Sequence, residues 1–146
     1  MKLFFLTIFG ISFGLLEAIV VVYIRRIVPE DGWRYIHSIQ AVSNFLAKHN
    51  ILFIEQTREV STIIILLTLA ILSGTRLKER IAYFLWGFGI WDVFYYIFLY
   101  IWLKWPKSLL ELDILFLIPY PWVAPVILPI GCSFLFLWTS LLLLKH

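Results

Sequence analysis

Residues 122–144 read WVAPVILPIGCSFLFLWTSLLLL, twenty-three positions without a charged side chain. A membrane-spanning helix needs about 20 consecutive, mainly apolar residues, and this run supplies them. The rest of the 146-residue chain agrees: 62% of it is hydrophobic and only 14% is charged. Soluble domains have about 45–50% apolar and 25% charged residues. A soluble fold this short has too little interior to hide so much apolar surface. These figures exclude an ordinary soluble domain, a disordered chain and a disulfide scaffold. They leave an integral membrane protein of one domain.

Working backwards from this run, three more stretches are long enough to span. Ile81 to Leu103 is broken only by Asp92, and Leu3 to Ile24 only by Glu17. Ile51 to Ser73 carries Glu55, Gln56, Arg58 and Glu59. The expected fold is therefore an all-α bundle of four transmembrane helices, over 3–24, 51–73, 81–103 and 122–144. The first run continues through Tyr23 and Ile24 without a small-x-small cleavage site, so it reads as a span rather than a signal peptide. The single cysteine, Cys132, lies in an apolar run and reads as a small core residue.

Two connections predict structure of their own. Trp33 to His49 has helical periodicity, with Tyr35, Ile39, Val42 and Leu46 on one face and His37, Asn44 and Lys48 on the other. This predicts an interfacial helix over 33–49. Ser108-Leu-Leu-Glu111 matches a capping box. It predicts a short re-entrant or interfacial helix over 109–118, stopped at Pro119-Tyr120-Pro121. The alternative is one long helix running into the fourth span and kinked by those prolines.

Orientation rests on basic residues. An even number of spans places Lys2, Arg76, Lys78, Arg80 and Lys145 on one side, and Arg25, Arg26, Arg34, Lys48, Lys104 and Lys107 on the other. The densest cluster is the short 75–80 loop, and short loops weigh most in the positive-inside rule. Both termini are therefore expected in the cytoplasm. The net charge of +3 reports anchoring and topology, and no nucleic-acid partner is inferred from it.

The informative charges are inside the spans. A charge at a helix centre costs ~2.5–3.5 kcal/mol on insertion scales. Here Glu17, Glu55, Arg58, Glu59 and Asp92 all accept that cost. At 1.5 Å per residue, Glu17 lies ~10 Å, Glu55 ~6 Å, Glu59 ~12 Å and Asp92 ~17 Å from the membrane face that bears the 33–49 segment. That face is called the upper face below. Asp113 meets the bundle there too. Glu55, Arg58, Glu59 and Thr62 form one helical stripe, and Gly10, Gly14, Glu17 and Val21 another. Gly10-x-x-x-Gly14 allows a second helix to approach closely. Asp92 shares its face with Gly89, Tyr95 and Tyr96, whose hydroxyls are expected to donate to a carboxylate.

Four carboxylates and one arginine sum to −3 when all are ionised, a charge that a low-dielectric layer will not carry uncompensated. Protons, a metal cation or a cationic substrate would each balance it. The first expectation is a cation site formed by Glu17, Glu55, Glu59 and Asp92, with Arg58 orienting them and Tyr96 behind. Hard oxygen donors favour a divalent ion such as Mg, Mn or Fe, and a lipid-soluble substrate could react there. The second is a proton-coupled transporter, dimeric, in which Glu17 or Asp92 cycles its proton. The third is a subunit or assembly factor of a larger membrane complex, with internal ion pairs. His37, Asp113 and Tyr95 are secondary candidates, His37 only if the interfacial helix folds over the site. The Trp86–Trp105 aromatic run reads either as an interface belt or as a cage for an organic cation. There is no Glu-x-x-His, His-Glu-x-x-His, Cys-x-x-Cys, P-loop or Gly-x-Ser-x-Gly motif.

Gly14-Leu-Leu-Glu17-Ala18, Glu55-Gln-Thr-Arg58-Glu59, Gly89-Ile-Trp-Asp92-Val-Phe-Tyr-Tyr96, Trp105-Pro-Lys-Ser-Leu-Leu110 and Asp113-Ile-Leu-Phe-Leu-Ile-Pro119-Tyr-Pro-Trp122 together resemble a family of small prokaryotic polytopic membrane proteins of unassigned function. The resemblance implies a compact multi-span fold and no particular activity. A coarser likeness is to small multidrug transporters, four-span proteins with a Glu in the first helix, from which Glu55, Arg58, Glu59 and Asp92 depart.

Overall fold

The computed structural model describes residues 1–27, 44, 47, 48 and 50–145. The expected interfacial helix over 33–49, with His37, lies outside the described residues apart from three single positions. Among the described residues, four helices are long and apolar enough to cross a membrane: α1 (Lys2–Ile27), α2 (Leu52–Ser73), α3 (Leu77–Leu103) and α4 (Ile127–Lys145). Between α3 and α4 lie two antiparallel strands, β1 (Leu112–Phe116) and β2 (Trp122–Pro125).

α3 is the central helix, with α1, α2 and α4 packed around it. Small residues set the spacing. A Cβ on Gly14 would lie 2.7 Å from the Trp91 carbonyl oxygen, and one on Gly89 would lie 2.9 Å from that of Ser133. Only glycine lets α1 and α4 approach α3 so closely. At the lower end Leu6, Ala70 and Tyr83 form one buried cluster, and the Lys2 ammonium donates to the Ser73 carbonyl at 2.8 Å. At the upper end Ala18, Val22, Tyr96, Leu99 and Val126 form another.

The segment expected as a short helix over 109–118 is instead a turn followed by β1. The side chains of the predicted capping box do cap, but they cap a single turn. Leu110 N–H donates to Ser108 Oγ at 3.2 Å and Lys107 N–H donates to Glu111 Oε1 at 3.2 Å. The chain then extends, because Ile114 and Phe116 pair across to Val123 and Trp122, with an irregularity in register between them. Pro119 and Pro121 cannot donate to a ladder and so belong in the connection. The fourth helix accordingly begins at Ile127 rather than at Trp122. Its first amides are satisfied by the same turn: Val126 N–H donates to the Glu111 carbonyl and Ile127 N–H to that of Leu109, at 3.0 and 2.8 Å. Pro129 falls in the first turn, where its missing N–H leaves no bond unmade.

Candidate functional site

The upper halves of α1, α2 and α3, the hairpin and the start of α4 enclose a cavity of about 400 Å³. Glu17, Glu55, Arg58, Glu59, Asp92, Tyr95, Tyr96 and Asp113 all line it. The similar depths read from the sequence thus correspond to one place in the fold. His37 lies outside the described residues.

Within this wall the charges form separate groups. Arg58 lies between two carboxylates. It bonds Glu17 across the α1–α2 interface through Nη1, and it holds Glu55 from its own helix at 2.9 Å through Nε and 2.8 Å through Nη2. Thr62 donates to the other Glu17 oxygen at 3.0 Å. The i, i+3, i+4, i+7 stripe of α2 explains why one arginine can serve both acids. Glu55 lies one turn back on the same face, and Thr62 one turn forward at the level of Glu17.

Glu59, on the same stripe, faces the hairpin. Both of its oxygens accept the backbone N–H of Leu117, at 3.0 and 2.8 Å. Gln56, one turn earlier, donates to the Leu117 carbonyl at 3.1 Å. Non-helical backbone at membrane depth is tolerated only where its polar groups are satisfied by protein or water. Two side chains of α2 satisfy both groups of this residue.

Asp92 accepts from Ser133 Oγ on α4 at 2.7 Å. Tyr96 donates to a carboxylate, but to Asp113 rather than to its helix neighbour Asp92: its hydroxyl meets Asp113 Oδ2 at 2.9 Å. Strand β1 brings Asp113 over the upper end of α3, within reach of that hydroxyl. Arg25 lies 3.6 Å from the other Asp113 oxygen, and its guanidinium stacks on the Trp105 ring at 3.9 Å. Asp113 is buried, and this burial raises its carboxyl above the ordinary aspartate range, against the opposing pull of Arg25 and the Tyr96 hydrogen bond.

Arg25 and Ser133 also belong to the site, and neither is singled out by the sequence. Arg25 reads from sequence as one of two arginines at a helix end. Ser133 carries a weak sequence signal, because it and Ser140 are hydroxyl residues seven apart on one face of a mostly apolar helix; both are fully buried. Ser140 Oγ donates to the Ala82 carbonyl at 2.7 Å, so the pair marks the face of α4 turned to α3.

Among the described residues no three His, Cys, Asp or Glu side chains come together as a metal-binding group. Glu17, Glu55, Glu59 and Asp92 share a cavity, but Glu17 and Glu55 are drawn to Arg58 while Glu59 is turned to the Leu117 amide and Asp92 to Ser133. The remaining wall is aromatic and aliphatic, with Phe88, Trp91, Phe116, Trp122 and Phe136 among its members. Comparison of the chain with protein-family models, curated proteins and solved structures gives no match.

Proposed function

We propose that this is a multi-pass membrane protein whose upper cavity binds a lipid-soluble organic cation in competition with protons. One observation carries this reading. Among the described residues, five buried carboxylates, Glu17, Glu55, Glu59, Asp92 and Asp113, line this space together with two arginines, Arg25 and Arg58. The Arg25–Asp113 pair is neutral, and Arg58 with its two glutamates is left one negative charge in excess. Glu59 and Asp92 are held by uncharged donors and add one each. Three negative charges in a low-dielectric wall need protons or a cationic occupant. The aromatic and aliphatic surface suits an apolar body, and about 400 Å³ falls within the ~300–1,000 Å³ of small-molecule sites.

Access from the bilayer is part of the proposal. Trp122 and Leu128 both line the cavity and are half exposed, which supports entry where the hairpin meets α4. The dense basic loop Arg76–Arg80 supports termini on the cytoplasmic side, which places the cavity in the opposite leaflet.

The test uses the full chain in phosphatidylcholine nanodiscs with tetraphenylphosphonium as probe. Saturable binding near one per chain, stronger at pH 8.5 than at pH 6 and weakened at least tenfold in Glu59→Gln/Asp92→Asn, is the expected result. No saturable binding at either pH, or equal binding by the double variant, refutes the proposal.

A further inference from the structure

The excess negative charge says that an occupant is cationic but not how many charges it carries or how they are spaced. Glu55 and Asp92 bear on both. Glu55 is 7% exposed and Asp92 8%, and both line the cavity. Each spends one carboxylate oxygen on a neighbour: Glu55 Oε2 meets Arg58, and Asp92 Oδ2 meets Ser133. Among the described residues, Glu55 Oε1 and Asp92 Oδ1 make no hydrogen bond. Neither is a sealed atom stranded without a partner, so each opens on accessible space, and the cavity is the space that both residues line. The same holds for the Tyr95 hydroxyl, one turn from Asp92 on the same face of α3. The two acids lie at different depths. Glu55 is near the upper end of α2, and Asp92 is about 11 Å further down, in the middle of α3. Phe88, Trp91 and Phe136 give the cavity an apolar wall.

We infer that the occupant is a dication with an ammonium group at each end of an apolar chain, one received by Glu55 Oε1 and the other by Asp92 Oδ1 and the Tyr95 hydroxyl. This rests on the cation reading above and names its ligand class. A monocation leaves two of the three excess negative charges to protons, and a dication leaves one. An ammonium is a donor with no acceptor, and a carboxylate is an acceptor with no donor, so each end finds only complementary partners. At the lower end, the acid and the hydroxyl together take two of the three ammonium donors. The apolar wall then meets the chain between the ends, and their spacing is fixed by the depths of two helices rather than by one flexible side chain.

The probes are octylamine and the straight-chain α,ω-diamines of four, six, eight, ten and twelve carbons. Binding is measured at pH 7.5 on the full chain in phosphatidylcholine nanodiscs, with uptake by empty nanodiscs subtracted. 1,8-Diaminooctane, whose nitrogens when extended span roughly the depth difference of the two acids, is expected to bind at least about tenfold tighter than octylamine, the lower range of one charge-assisted hydrogen bond. Affinity is expected to peak near eight carbons. Apolar burial alone strengthens binding with every added carbon, so a maximum is the signature of two fixed ends. Asp92→Asn is expected to remove both the advantage over octylamine and the maximum. Octylamine binding as tightly as the diamine, or affinity that rises steadily with chain length, overturns the inference; so does an advantage that survives Asp92→Asn. In each of these cases saturable, pH-dependent binding of tetraphenylphosphonium leaves the cation reading standing. Failure of the amines and of tetraphenylphosphonium alike overturns the two together. The length series on the unaltered chain decides the matter even if Asp92→Asn does not fold.

Discussion

Replacing Glu59 tests whether α2 holds the hairpin in place. The Leu117 N–H is buried and its only acceptors among the described residues are the two Glu59 oxygens. Glu59→Leu puts an apolar side chain in place of the carboxylate and leaves that donor unsatisfied, at a cost of about 1–3 kcal/mol. For a chain of this size each kcal/mol moves the midpoint of thermal unfolding by about 2–4 °C, so a drop of about 2–12 °C is expected. Glu59→Gln retains a carbonyl oxygen at the same position. It exchanges a charge-assisted bond for a neutral one of roughly half the strength, so the loss is about 1 kcal/mol or less. Intrinsic tryptophan fluorescence in detergent follows the midpoint. Hydrogen exchange of the peptide covering 112–121 reports the Leu117 amide directly. The ordering wild type, Gln, Leu in both measurements is required. A Glu59→Leu protein with unchanged midpoint and full protection at Leu117 would falsify the assignment. A Glu59→Gln protein as unstable as Glu59→Leu shows that charge, rather than the acceptor, is what matters.

Arg58→Met leaves Glu17 and Glu55 facing one another without a cation. Breaking a buried ion pair on one side costs about 3–5 kcal/mol; the lower end applies here because the arginine side chain is 24% exposed. Adding Glu17→Gln and Glu55→Gln is expected to recover most of the loss in thermal midpoint, and failure to recover any of it argues against the ion-pair assignment. Gly14→Ala forces a methyl against the Trp91 carbonyl and is expected to cost about 1–3 kcal/mol. Gly131→Ala, where among the described residues no atom beyond the local helix backbone lies within 4 Å of the added carbon, should stabilise by up to about 1 kcal/mol through helix propensity. Equal effects of the two alanines would contradict the close approach of α1 to α3. Asp113 supplies a pH dependence. Burial raises its folded-state carboxyl above the unfolded value, so the folded chain binds that proton more tightly. Its stabilising contribution is complete below the unfolded aspartate value of about 4 and is lost as pH rises through the raised folded value. Asp113→Asn should flatten the decline of thermal midpoint above about pH 4, and an unchanged slope refutes that role.

The four helices were legible in the sequence because a span is a property of consecutive residues: length and hydropathy suffice. The α2 stripe was legible for the same local reason, since Glu55, Arg58, Glu59 and Thr62 share a face whatever surrounds them. The rest required partners that are distant in the chain. Ser108 and Glu111 are consistent with the start of a helix, and nothing local says that Ile114 and Phe116 find better partners in Val123 and Trp122. Arg25 and Arg26 are equivalent as text; only the fold brings Asp113 to one of them. Tyr96 and Asp92 share a helix face, yet the strand delivers a different carboxylate to the hydroxyl. Glu59 reads as a site residue from its depth and its helix face, while its partner is a backbone amide, which carries no sequence signal.

The hairpin has a consequence for how the molecule is made. An isolated two-stranded hairpin is marginal even in water, and open strand edges are not viable against lipid. Residues 112–125 therefore cannot settle as an independent inserted unit. They need Glu59 and Gln56 of α2 and Tyr96 of α3 already in position, and the turn that closes them is the one that receives the first amides of α4. Biogenesis is thereby ordered: a template of the first three helices comes first, the strands are laid onto it, and the final helix closes behind them. An assembly arrested before that last step would hold the acidic wall without its roof.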